Sequence, residues 1–322
     1  MTRREFITLL GGAAAWPLAA RGQALAKRVA ILGPAEQPRF SEVSGGLKRG
    51  LRERGFADAD LDVIEFMVAR GDQAATRSNV ETALRQHVTV LFVIGSELAR
   101  VARQVSADLP IVFITPGDPV AAGLVASLAR PGGNTTAMTF EFPELSAKRL
   151  ELLKALVPSA RRVLALYDPS DRSPLQGLAA ARNAAPKLGM TLVEREARSN
   201  ADIASAREAL SEVDALLVIP GGATSAHYRE IILAANLARR PSFVHSRMRD
   251  TVNALASYGA SDVRIAQEAA RLVEKILKGE NAGDLPVERP TKFQFVINLK
   301  TAKVLGLEIP PTPLALADEV IE

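Results

Sequence analysis

The residues that could do chemistry in this 322-residue chain are few and far apart. His87, His227 and His245 are the only histidines, and none is spaced as a metal-binding pair. Cysteine is absent, which excludes disulfides, thiolate-held metals, a thiol nucleophile and lipid attachment through an N-terminal cysteine. Asp118 and Asp168 could be paired carboxylates for acid–base work. Each, however, precedes a proline, in Asp118-Pro119 and Asp168-Pro169, and such dipeptides at strand ends more often shape turns. Gly45-Gly46 and Gly221-Gly222-Ala223-Thr224 fit neither G-x-G-x-x-G nor the Walker A pattern, and there is no G-x-S-x-G elbow. The expectation is a protein that is not an enzyme and carries no cofactor or metal.

What remains is a set of short polar segments suited to gripping a small molecule. They are Gly33-Pro34, Gly95-Ser96, the Thr115–Asp118 turn with Gly117 at its centre, Tyr167-Asp168, Pro220-Gly221-Gly222 and His245-Ser246. Each follows an apolar run of strand length, where loops feed helix N-termini and ligands settle in open α/β sheets. Glycine backbone N–H groups and short hydroxyls can hold a carboxylate or another polar head without a fixed charge. Of the histidines, His87 follows a helix pattern and reads as a surface residue, and His227 reads as a helix cap or face. His245 stands at a strand end and is a candidate to line the site. Tyr167 and Tyr258 are the aromatics available there for stacking on a solute.

The elements that must position these segments alternate along the chain. Val29–Leu32, Leu61–Phe66, Val90–Ile94 and Ile111–Ile114 are apolar runs separated by segments of helical periodicity. Runs apolar at every position fit strands buried on both faces of a parallel sheet. Val43, Leu47 and Leu51 recur at helix spacing ahead of Gly55, and Asp72 is placed to cap the next helix. The turn-forming stretch Arg130-Pro131-Gly132-Gly133-Asn134-Thr135-Thr136 breaks the rhythm and reads as a loop. The alternation then restarts with strands at Val163–Leu166, Met190–Val193, Ala215–Ile219 and Ser242–Val244. A last long helix from Ser261 to Lys278 and a strand at Phe293–Ile297 follow. This is an α/β chain of two similar halves with parallel central sheets.

Residues 1–24 read as an address. Arg3 and Arg4 precede the short apolar run Leu9–Trp16 and a small-residue stretch ending Gly22-Gln23-Ala24. That is the layout of an export signal, with twin-arginine character, removed near Ala24. The run is far below the roughly 20 residues of a membrane-spanning helix. The formal net charge is +4, and no cluster of Lys and Arg interleaves with aromatics. Nucleic acid is therefore not an expected partner.

The chain resembles the tryptophan/tyrosine-type ABC transporter substrate-binding proteins, relatives of the type I periplasmic binding proteins. The resemblance is carried by Arg3-Arg4-Glu5-Phe6-Ile7, Gly117-Asp118-Pro119-Val120, Gly123–Leu128, Arg130–Thr136, Asp284–Glu288, Lys292-Phe293 and Val296–Lys303. Two positions depart from the pattern: Ala137, where glycine is expected, and Tyr167-Asp168-Pro169, where Asn-Pro is commoner. The resemblance implies two Rossmann-like lobes joined by three hinge crossings, with a solute bound between them. The N-terminal lobe would take residues 27–140 plus 261–285, and the C-terminal lobe 141–260 plus 286–322. It also implies a monomer in the periplasm whose partners are a small polar solute, such as an amino acid, and the membrane permease of an ABC importer. Asn134 and Thr135, inside a matching segment, join the expected ligand contacts. Two other readings share the two-lobed plan. A transferase acting on a nucleotide sugar would need a phosphate-binding or catalytic constellation, and a ligand-sensing regulator would need a helix-turn-helix.

Overall fold

The computed structural model describes residues 27–35, 39–57, 61–69, 71–140, 143–170, 172–245 and 254–322. The expected export signal lies outside the described residues. The first half opens with β1 (Lys27–Pro34), α1 (Arg39–Glu53), β2 (Leu61–Val68), α2 (Gln73–Arg85), β3 (Val90–Ile94), α3 (Ser96–Val105), β4 (Ile111–Thr115) and β5 (Thr135–Thr139). These strands form a five-stranded sheet in the order β2-β1-β3-β4-β5, parallel throughout. Every residue of β3, β4 and β5 is buried, as expected for central strands covered on both faces.

The second half comprises α4 (Pro143–Leu156), β6 (Arg162–Tyr167), α5 (Arg172–Ala184), β7 (Thr191–Glu196), α6 (Asn200–Ala209), β8 (Ala215–Val218), α7 (Gly222–Ala226), α8 (Tyr228–Leu237), β9 (Ser242–Val244) and β10 (Ala256–Gly259). Then come α9 (Asp262–Leu277), β11 (Gln294–Asn298), α10 (Leu299–Leu305), α11 (Pro311–Leu316) and β12 (Glu319–Ile321). The second sheet has seven strands in the order β12-β11-β10-β9-β8-β6-β7. Only the β10–β11 pairing within it is antiparallel. The architecture is thus α/β with two mostly parallel sheets, as the sequence pattern implied.

Helix α9 follows strands of the second sheet in sequence, yet it packs on the first. Ile265, Ala266, Ala269, Leu272 and Val273 share one core with Val29, Leu47, Phe92 and Val112. The close approach of α1 and α9 depends on two glycines. A Cβ at Gly46 would run into the Val263 carbonyl, and one at Gly50 into the Gln267 carbonyl. Gly46 and Gly50 therefore serve helix packing, whereas a Cβ at Gly45 would meet open space.

The chain passes between the sheets three times. It leaves β5 at Phe140 to enter α4, whose Leu150, Leu153 and Leu156 join the core beneath the second sheet. It returns from β10 through Gly259–Ser261 into α9. It crosses back after Glu288, whose N–H donates to the Ala137 carbonyl (2.9 Å) beside β5, to reach β11. Because β11 runs antiparallel to β10, all three crossings lie at the carboxyl edge of both sheets. That edge is where the expected site segments should gather.

Two sequence expectations need correction. Thr135 and Thr136 are strand residues of β5 rather than loop. Their hydroxyls donate to the Leu124 carbonyl (3.1 Å) and the Leu285 carbonyl (2.8 Å), so a polar strand is buried without loss. Strand β10 (Ala-Ser-Tyr-Gly) was not anticipated, being short and of mixed polarity. Among the described residues, no helix is long and apolar enough to cross a membrane.

Candidate functional site

On the first sheet, Gly33 and Pro34 end β1. A Cβ on Gly33 would come within 2.7 Å of the Phe40 ring and 2.9 Å of Ile94, so this glycine keeps the edge tightly packed. Gly95, at a positive φ of 108°, turns the chain from β3 into α3, and its N–H donates to the Ile114 carbonyl (2.9 Å). Ser96 opens α3. Thr115, buried, ends β4, and the carbonyl of Gly117 accepts the Thr139 hydroxyl. Asp118 is exposed, and its Oδ1 accepts the N–H groups of Val120 (2.9 Å) and Ala121 (3.1 Å). That carboxylate is spent on a turn.

On the second sheet, the Tyr167 hydroxyl contacts Glu196 (3.4 Å) at the neighbouring strand end. Burial and the Glu196 charge push its pKa up. Asp168 is 3% exposed. Its Oδ1 accepts from Ser170 N–H (3.0 Å) and its Oδ2 from Ala223 N–H (2.6 Å). The second bond ties β6 to the first turn of α7. Gly221 leaves room for this, since a Cβ there would meet the Asp168 Cβ at 2.7 Å. Gly222, exposed, begins α7. Asp118 and Asp168 thus stand on different sheets with separate structural duties.

Asn134 and Thr135 do not join this edge. Thr135 begins β5 and Asn134 directly precedes it, at the opposite, amino end of the first sheet. The Asn134 amide donates to the carbonyls of Ser106 (3.0 Å) and Leu109 (2.7 Å). These bonds pin the turn before β4.

The most distinctive grouping lies where the second sheet meets the crossings. His245, directly after β9, is 8% exposed, and its Nδ1 has no hydrogen-bond partner. Burial pushes its pKa down to about 3. The charges of Arg149 and Arg39 act in the same direction, and that of Asp262 opposes them. The imidazole is therefore neutral at physiological pH. Arg149, on α4, is fully buried, and its Nε donates to the Tyr258 carbonyl (2.7 Å). Gly259 lets the chain pass, because a Cβ there would strike the His245 carbonyl. The half-buried Tyr258 stacks on Phe293 (centroids 6.0 Å apart), linking the second crossing to the third. Across the junction, Asp262 at the start of α9 accepts from Arg39 Nε (2.8 Å) through Oδ2, while its Oδ1 is buried without a partner.

The sequence pattern does not single out Arg149, Asp262 and Arg39. Arg149 carried a usable signal, since it stands in register with Leu145, Leu153 and Leu156 on the apolar face of α4. A charge there has to be enclosed, and needs built-in partners. No group of His, Asp and Glu that could hold a metal occurs among the described residues.

Two α/β sheets whose carboxyl edges meet at three crossings define a type I periplasmic-binding-protein fold. Residues 28–321 match the family model described as ABC transporter substrate binding protein, and the chain belongs to that family. A tyrosine-binding protein from Clostridioides difficile is 26% identical over 283 residues, covering 88% of this chain and 81% of that protein. Among solved structures, an ABC domain in complex with L-Trp from Streptococcus pneumoniae superimposes with a TM-score of 0.82 at 25% identity, covering 92% of this chain and 99% of that one. A conserved domain protein from Vibrio cholerae gives the same TM-score and coverage at 28% identity. Membership makes the chain a substrate-binding partner of an ABC permease, exported to meet a small-molecule ligand.

Proposed function

We propose that the chain captures an amino acid in the cleft between its two lobes and delivers it to the permease of an ABC importer in the periplasm. One observation carries the amino acid reading: the named relative binds tyrosine, and a structure of similar fold holds L-Trp. The cleft chemistry agrees with it. The junction brings guanidinium groups, a carboxylate and a neutral imidazole into one grouping, which suits a zwitterionic head better than a neutral sugar.

In this reading the N-terminal lobe comprises residues 27–140 plus 261–285, and the C-terminal lobe residues 141–260 plus 286–322. The carboxyl-edge segments at Gly33, Gly95-Ser96, Thr115–Asp118, Tyr167, Gly221-Gly222 and Tyr258 line the cleft. The protein acts as a monomer without catalysis, after an export signal is removed near Ala24. Closure of the lobes over the solute creates the form that a permease recognises.

A thermal-shift screen of the mature protein against amino acids, small acids and sugars tests the reading. Saturating ligand stabilises the folded state by RT ln(1 + [L]/Kd), about 2.7 kcal/mol at a hundredfold excess over Kd. L-tyrosine or L-tryptophan is expected to raise the melting temperature. A shift by sugars alone, or turnover of a nucleotide sugar, would sink the proposal.

A further inference from the structure

The acceptors left over at the crossings point to how the head group of the solute is recognised. Among the described residues, His245 Nδ1 and Asp262 Oδ1 are two of the few buried side-chain polar atoms without hydrogen bonds. A buried acceptor left unpaired costs free energy and calls for a donor. With the proton on Nε2, Nδ1 of a neutral imidazole is an acceptor. Asp262 Oδ1 is one also, because Arg39 engages the other carboxylate oxygen. The chain approaches His245 three residues before Asp262, where a Cβ on Gly259 would strike the His245 carbonyl, yet the two residues belong to different halves of the molecule. His245 follows β9 of the second sheet, whereas Asp262 begins α9, which packs on the first. Opening at the crossings would part them, and closing would bring both onto a shared donor.

We propose that His245 Nδ1 and Asp262 Oδ1 together accept the α-ammonium group of the bound amino acid, one acceptor from each lobe. This rests on the amino acid reading above. A cation with several N–H donors matches two acceptors. A carboxylate in that place would face the Asp262 charge, while the Arg149 and Arg39 guanidiniums, which also bear on His245, suit the carboxylate of the same zwitterion. The arrangement also makes closure depend on the ammonium, since without it both atoms stay unpaired.

The test measures affinities of the mature protein for L-tyrosine and L-tryptophan and for the corresponding acids lacking the amino group, 3-(4-hydroxyphenyl)propionate and indole-3-propionate. Wild type should prefer the amino acids by about 100-fold or more, the scale of a buried charge-assisted bond. Asp262→Asn and His245→Leu should each lose about 10- to 100-fold for the amino acids and little for the acids. His245→Gln, which keeps an acceptor, should retain most of the preference. If neither amino acid binds wild type, the amino acid reading falls and this inference with it. If wild type binds amino acids and acids alike, or the variants weaken both classes equally or neither, the ammonium assignment alone falls. The wild-type comparison holds even where a variant fails to fold.

Discussion

His245 shows how a single side chain can record the state of the junction. Its pKa in the folded chain, about 3, lies below its ordinary value of 6.5, so the unfolded chain takes up the proton first as pH falls. The stability associated with the neutral imidazole is therefore complete above pH 6.5 and is lost as pH drops toward 3. Urea denaturation of wild type and His245→Gln at pH 7, 6 and 5 should show wild type losing more stability over this range. Parallel curves would contradict the burial of the ring. The residue's strand-end position was legible, because a histidine directly after an apolar run stands out. Its environment was not. That environment is built by Arg149, Asp262 and Arg39, which stand 96, 17 and 206 residues from His245 along the chain, and no local pattern joins them.

At the scale of elements, Asp168 fastens the end of β6 to α7. Two backbone N–H groups converge on its buried carboxylate, those of Ser170 and Ala223. Asp168→Ala would leave the Ala223 N–H without its acceptor, and is expected to cost about 1–3 kcal/mol in the unfolding free energy. Urea denaturation measures this directly. A loss within experimental error would mean that water replaces the carboxylate. The strands that could be read from sequence were those whose every residue is apolar, such as Val90–Ile94 and Ile111–Thr115, because burial on both faces removes polar side chains. Strand β5 escaped notice because its threonines satisfy their hydroxyls against distant carbonyls, and β10 because Ser257 and Tyr258 interrupt its apolar character. The same limit explains the misplacement of Asn134 and Thr135. A turn signature marks a change of direction, but does not say which end of a strand it serves.

For the whole molecule, alternation of strand and helix was enough to imply two sheets, and the carboxyl edges followed from that. The path between them was less visible, since it depends on where α9 packs. Its apolar stripe is plain in the sequence, but its target is a core formed some two hundred residues earlier. A fragment of residues 27–140 would lack this cover over Leu47, Phe92 and Val112. It should fail to melt cooperatively by circular dichroism, whereas the same fragment joined through a flexible linker to residues 261–285 should recover a transition. Cooperative melting of the bare fragment would show that α9 is dispensable to that core.

The late arrival of α9 also has a consequence for synthesis. As the chain emerges from the ribosome, the strands of the first sheet appear early, but the helix that closes their core is made only after most of the second sheet. The second sheet in turn waits for β11 and β12 near the end of the chain. Neither half can be completed as an independent unit during translation, and both must settle almost together. Long-range closure of this kind slows folding, which leaves the nascent protein open for longer to whatever machinery handles unfolded chains.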